Sequence, residues 1–428
     1  MSEVAESVAL VEPHNAGLSL TERLFAFVIG GFCLVLLFAA GSTVISPTVF
    51  LALLGATSFA AALYFVKYYV TRPKGVRNER IWQRSLLNRG IFGYAFGIAL
   101  TGFYVLLYWF PEYLTNVVAL FDPLSWVLRA GPADSWFVYG SLYSIAVLVM
   151  GVRAIAKYRH SRYQVIRTSI IMLSQLFLGY LIPSFMKLMH QPEFYFGYFW
   201  PLKPEYLFPS TVAQLTQHPG GFGIFLVFWG AVMAFVATPL LTYFFGKRWY
   251  CSWICGCGGL ANTLGDPWRQ LSDKSTRAWK IEKAMIYSVL ALIIILTALL
   301  WLNSHVKGEV LGQVSSAYAK WYGFFIGAMF SGVIGVGFYP ILGTRVWCRF
   351  GCPMAAYLGI LQRAFSKFRI TTNGGQCISC GNCSTYCEMG IDVRAYAQRG
   401  EDIKRASCVG CGICATVCPR GVLRLENR

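Results

Sequence analysis

The chain has 428 residues, of which 56% are hydrophobic and only 13% charged, about half the charged share of an ordinary globular domain. With a mean hydropathy of +0.52, this excludes a soluble enzyme, a disordered chain and a fibrous protein. The net charge of +18 would suggest nucleic-acid binding in a soluble protein, but in a membrane protein basic residues collect in the loops of one face, so no nucleic-acid partner is expected.

Residues 1–20 are acidic and polar and lack the basic and short apolar regions of a signal peptide, so they read as an uncleaved cytoplasmic tail. A transmembrane helical domain follows over 21–345. Apolar runs long enough for a hydrocarbon core of about 30 Å fall near 24–45, 48–70, 91–110, 136–156, 166–188, 222–245, 284–304 and 322–342, giving about eight spans. The fifth is the least regular, because Pro183 interrupts it. Basic residues alternate with these spans. Arg72 to Arg89, Arg153 to Arg167, Lys247 to Lys283 and the tail after the eighth span hold 30 of the 37 Lys and Arg. Both termini and all the cysteine clusters are therefore expected on the cytoplasmic side of a bacterial-type inner membrane, where thiols stay reduced and favour metal ligation over disulfides.

The opposite loops are poor in charge. The longest, 189–221, is rich in aromatics and proline and reads first as an interfacial aromatic belt, with a docking surface or the mouth of a quinone pocket as the alternative. His190, His218 and His305 fall near that outer surface. Exposed or capping histidines are the common case, so no haem is expected, and no charged residue deep in a span suggests an ion relay.

Eight of the fourteen cysteines crowd into residues 371–428. They form Cys377-x2-Cys380-x2-Cys383-x3-Cys387 and Cys408-x2-Cys411-x2-Cys414-x3-Cys418-Pro419, the signature of a bacterial two-cluster ferredoxin. Three closely spaced thiolates come from one loop and the fourth from the other repeat. Cys377, Cys380, Cys383 and Cys418 should hold one [4Fe–4S] cluster, and Cys408, Cys411, Cys414 and Cys387 the other. Structural zinc sites use separated ligand pairs instead. Glu388 stands where proline is expected after Cys387.

A second, repeated constellation follows the sixth and eighth spans. Gly246, Arg248, Tyr250, Cys251 and Cys255 match Gly343, Arg345, Trp347, Cys348 and Cys352 at the same offsets, and each copy ends in Leu-Gly, at Leu264-Gly265 and Leu358-Gly359. Residues 346–370, with Cys348-x3-Cys352-Pro353, form a juxtamembrane linker to the ferredoxin domain. Cys251, Cys255, Cys348 and Cys352 could hold a third cluster, with Cys257 as an alternative ligand. Weaker metal binding, free thiols or turn shaping are the competing readings.

Paired C-x3-C motifs after membrane spans, followed by a two-cluster ferredoxin tail, resemble the polyferredoxin membrane proteins related to the quinol dehydrogenase subunit of periplasmic nitrate reductase, the nitrous oxide reductase accessory protein and the cbb3 oxidase assembly protein. The resemblance covers roughly residues 222–428. The sequence departs from it at Gly256, where proline is expected, and in carrying Cys257. The expected fold is thus an α-helical multi-pass membrane protein with a C-terminal α+β 2[4Fe–4S] ferredoxin domain. The resemblance implies electron exchange between clusters, the quinone pool and a redox partner protein. Reductive maturation of a respiratory metalloenzyme, or redox sensing, are the alternatives.

Overall fold

The computed structural model describes residues 20–41, 45–71, 90–306 and 312–428. The tail 1–19 and the basic loop 72–89 lie outside the described residues. In chain order the long helices are α1 (Leu20–Gly41), α2 (Pro47–Val70), α3 (Ile91–Trp109), α4 (Ser135–Lys157), α5 (Arg162–Leu188), α6 (Phe222–Phe245), α7 (Thr276–His305) and α8 (Gly312–Gly337). Six of them, α2 and α4–α8, are long and apolar enough to cross a bilayer. A seventh span results if α3 is joined to Pro111–Ala119. Among the described residues the candidate spans thus number six or seven, beside an expected count of about eight. Pro111, which cannot donate an amide, lies at a break where the path turns by 114°. α1 is a 22-residue helix, apolar from Leu24 to Gly41.

The irregular fifth span is nonetheless a span. A π-helical stretch, Phe177–Leu181, precedes Pro183 in α5, and another, Met233–Ala237, precedes Pro239 in α6. The wider turn shifts the hydrogen-bond register just before the residue that lacks a donor, so the helix continues. In α6 the Thr238 hydroxyl donates to the Met233 carbonyl at 2.6 Å and helps satisfy the opened turn.

The C-terminal domain closes with β1 (Phe368–Thr372) antiparallel to β2 (Leu423–Asn427), pairing Phe368 with Asn427 and Thr372 with Leu423. It docks on the end of the bundle where α5 begins and α6 ends. The Tyr163 hydroxyl donates to the Gly410 carbonyl at 3.0 Å, Gln164 Nε2 to the Cys411 carbonyl at 2.9 Å and the Ser252 hydroxyl to the Val409 carbonyl at 2.7 Å. Helix α9 (Pro353–Phe365) lies between the two parts, and its Gln362 Nε2 donates to the Cys408 carbonyl at 2.8 Å.

Much of the basic charge that marked this face in the sequence is internal. Asp266 is buried and accepts from Arg153 Nη1 at 2.9 Å, Lys157 Nζ at 2.9 Å, Arg269 Nε at 2.9 Å and the Tyr158 hydroxyl at 2.6 Å. Burial alone would raise its carboxyl pKa, but Lys157, Arg269 and Arg153 overcome that and hold it well below the usual carboxylate range. A carboxylate depressed in the fold contributes stability at every pH above its unfolded value near 3.9, and loses it only as pH falls through the lower folded value. The network therefore persists throughout the physiological range. Asp266→Ala would remove the carboxylate shared by Arg153, Lys157 and Arg269, of which Arg269 keeps Glu388, and should cost about 3 kcal/mol. Chemical denaturation in detergent measures this; Glu401→Ala, removing the exposed Arg399 partner, should leave the midpoint in place.

Candidate iron–sulfur centres

Each predicted ferredoxin ligand set surrounds its own cavity. Cys377, Cys380, Cys383 and Cys418 line one, and Cys387, Cys408, Cys411 and Cys414 line another. The fourth cysteine of each repeat thus crosses to the other site. Among the described residues no group of three or more Cys, His, Asp or Glu could hold a single metal ion. Thiols disposed around a space suit a multi-atom cluster better than one ion.

The two repeats share a backbone. Ser379 and Gly410 have φ of 58° and 62°, Gly381 and Gly412 78° and 73°, and Gly390 and Gly421 65° and 62°. These left-handed residues turn the chain around each cavity and expose amides near the sulfurs. The equal angles at Gly390 and Gly421 show that Glu388 and Pro419 occupy equivalent positions without altering the turn.

Glu388 has a different task. It is fully buried, forms an ion pair with Arg269, and accepts from Arg345 Nη2 at 2.8 Å. Burial would raise its carboxyl; Arg269, Arg345 and Arg167 bring it below its ordinary value. Arg345 also donates from Nη1 to Cys348 Sγ at 3.5 Å. A chain of contacts therefore runs from Cys387 through Glu388 and Arg345 to Cys348, joining a ferredoxin site to the membrane-side cysteines. The absent proline was the sequence's only hint of this junction.

The membrane-side repeat is also a structural repeat. Gly246 has φ 63° and ψ −172°, and Gly343 has φ 92° and ψ 176°, a region essentially reserved for glycine. Each opens a short helix, Arg248–Cys251 or Val346–Phe350, that presents the first cysteine. Cys255 and Cys352 then occupy the N-cap positions of Gly256–Asn262 and α9. Cys251, Cys255, Cys348 and Cys352 are all at least 94% buried and belong to one packed core, with Cys257 against it.

This constellation reaches deeper than a junction at the membrane edge. The Tyr143 hydroxyl of α4 donates to the Gly256 carbonyl at 2.7 Å, and Gln175 of α5 to the Ile254 carbonyl. Both residues lie about 20 Å along their helices from the ferredoxin end, at 1.5 Å per residue. The Tyr357 hydroxyl donates to Ala234, halfway along α6, at 3.1 Å. Phe330 of α8 packs on Trp347. A Cβ at Gly256 would collide with the Tyr198 hydroxyl, which explains why the expected proline is missing.

The outer loop takes part in this packing. Phe194 and Phe199 are each 1% exposed, Phe199 stacks on Trp249 at 6.4 Å, and the Tyr250 hydroxyl donates to the Gly197 carbonyl at 2.8 Å. Its inner part is therefore a lining for the cysteine constellation rather than a surface belt. The outer histidines stay apart from the site. His190 sits in a left-handed turn, His218 Nδ1 faces the Pro219 carbonyl and His305 ends α7.

The comparisons agree with this layout. A 4Fe–4S dicluster domain model matches residues 376–423, and a 4Fe–4S binding domain model matches twice, at 225–275 and 323–371. The second pair encloses both membrane-side cysteine motifs. These matches support the resemblance to polyferredoxin-type membrane iron–sulfur proteins. The chain is 28% identical over 38% of its length to YccM of Escherichia coli, a protein named for electron transport, covering 46% of that protein. The methylamine utilization ferredoxin-type proteins MauN of Methylobacillus flagellatus and Methylorubrum extorquens are 27% and 29% identical over 37% of the chain, each covered over 55%. The matched stretch thus spans about half the length of these relatives. No solved structure matches significantly.

The thiols of the dicluster region carry a pH signature. Burial pushes the Cys387 thiol up to about 11 and Cys408 up to about 12. Without iron these thiols keep their protons at neutral pH, and cluster ligation must release them. Incorporation of iron and sulfide into the cluster-free protein should therefore strengthen as pH rises from about 6.5 to 8.5, with proton release. Absorbance-monitored reconstitution checks this; pH-independent incorporation would contradict it.

Proposed function

We propose that this protein transfers electrons between the membrane quinone pool and a redox partner protein at the cytoplasmic face, using two [4Fe–4S] clusters in the ferredoxin domain and a third held by Cys251, Cys255, Cys348 and Cys352. When bound, the clusters supply one-electron redox centres. The observation that carries the reading is the continuity of the three cysteine sets. They share one packed core, and the Glu388–Arg345 contact links the second to the third. The names of the relatives, with electron transport and ferredoxin-type among them, agree.

The residues around the sets fit this role. Tyr250, Trp347 and Phe199 exclude water from the membrane-side thiols. Arg345 places a guanidinium beside Cys348 Sγ, and positive charge with N–H donors at sulfur raises a cluster's potential. That matters because ferredoxin-type clusters near −400 mV could not accept electrons from quinol, whereas raised ones could. The depth of the Cys255–Gly256 turn among α4 and α5 supports an inner set within reach of quinone in the bilayer. Exposed Cys380 lies at the other end of the series, next to a soluble partner. Both termini are then cytoplasmic, in an inner membrane.

The test is EPR of anaerobically purified protein before and after addition of a reduced quinol analogue. Cluster signals on quinol addition are the expected result. Signals with dithionite alone would reject quinol oxidation and assign electron entry to a low-potential cytoplasmic donor.

A further inference from the structure

A cavity separate from those of the ferredoxin sets, its wall reaching Cys348 of the membrane-side set, lies between the first turns of α7, helix α9 and the segment Lys404–Ser407. Its volume is about 250 Å³, far larger than either ferredoxin cavity. Five of its lining residues, Lys247, Lys283, Arg363, Lys404 and Arg405, are cationic, and Glu282 is its one acid. That acid is already engaged, accepting from Arg349 Nε at 3.1 Å. None of the five cations forms an ion pair among the described residues.

Two of them are poorly satisfied. Lys247 is 1% exposed, and its ammonium gives one hydrogen bond, to the Ala406 carbonyl at 3.1 Å, although it has three donors. Arg405 Nε is buried with no acceptor. Lys283 and Arg405 stand over the Trp279 ring, 4.0 and 4.1 Å from its centroid, which fixes both cations at the cavity wall. Gathering five like charges around one space, with donors unused, is unfavourable unless an anion occupies it.

We propose that this cavity binds a phosphate-bearing anion. An arginine fork and lysine ammoniums together match the several acceptor oxygens of a phosphate. The group could belong to a soluble phosphate compound or to an anionic phospholipid headgroup. Ile286 and Tyr287 continue the cavity wall into the apolar part of α7, where basic pockets at the ends of membrane helices hold such headgroups.

The test uses the cluster-loaded protein, with inorganic phosphate in equilibrium dialysis as one probe. The other is nanodiscs of phosphatidylglycerol or phosphatidylcholine, with retained lipid counted by native mass spectrometry. Saturable binding of one phosphate or one phosphatidylglycerol per chain is expected. It should weaken by about tenfold or more in the Lys283→Gln, Arg405→Gln double variant but not in Arg424→Gln, whose exposed cation lies on β2. Saturation by phosphate assigns the soluble source, and saturation by phosphatidylglycerol alone assigns the headgroup. Lys283 is exposed, so Lys283→Gln alone tests the site in a folded protein, verified by unchanged iron content, and should also weaken binding. Non-saturating binding, or binding unchanged in the variants, would overturn the proposal.

Discussion

A carboxylate without solvent, Glu388, holds this molecule together. It sits between Arg269 and Arg345, and its backbone carbonyl accepts from the Ser272 hydroxyl at 2.7 Å. Arg269 passes the charge on to Asp266 and so to Arg153 and Lys157 of α4. One buried network thereby fastens the ferredoxin domain, both membrane-side cysteine copies and the membrane helices in a single register. Removing any one member leaves the others charged and dry, and that energetic penalty makes the arrangement specific. The polar connection runs where cluster sites must be held at fixed separation.

The doubled motif adds symmetry to this junction. Each copy uses a glycine in a backbone region closed to other residues, a short helix and a cysteine at a helix N-cap, so two similar turns enter the bundle from one end and present thiols toward a common core. They then diverge. Arg345 turns inward to Cys348 and Glu388, whereas its counterpart Arg248 lies 4.4 Å over the Phe368 ring and donates to Asn427 at 3.1 Å. One arginine serves the cysteine site and the other the docking of β1 and β2.

The ferredoxin ligand sets were legible in the sequence because the crossing of the fourth cysteine is encoded in local spacing. The membrane-side repeat was legible as a pattern, down to the glycine five residues before each first cysteine. Its depth was not, because re-entry among helices depends on distant partners such as Tyr143, Gln175 and Tyr357. The same limit applies to charge. Arg153, Lys157, Arg269 and Arg345 resemble loop-side topological signals, yet they are internal ion-pair partners, since hydropathy cannot distinguish a cation facing water from one facing Asp266 or Glu388. Proline left its mark on the spans too, where Pro111 bends the path after α3 by 114°. The aromatic loop at 189–221 resembled a belt, but Phe194 and Phe199 are core residues.

The central claim is that the membrane-side cysteines form a third cluster site beside the two in the ferredoxin domain. Iron analysis with Mössbauer spectroscopy, on anaerobically purified wild type and on Cys255→Ser, Cys352→Ser protein, tests it most directly. A third [4Fe–4S] site predicts about twelve iron atoms per chain in wild type and about eight in the variant. Equal iron content near eight in both, with identical spectra, would contradict it.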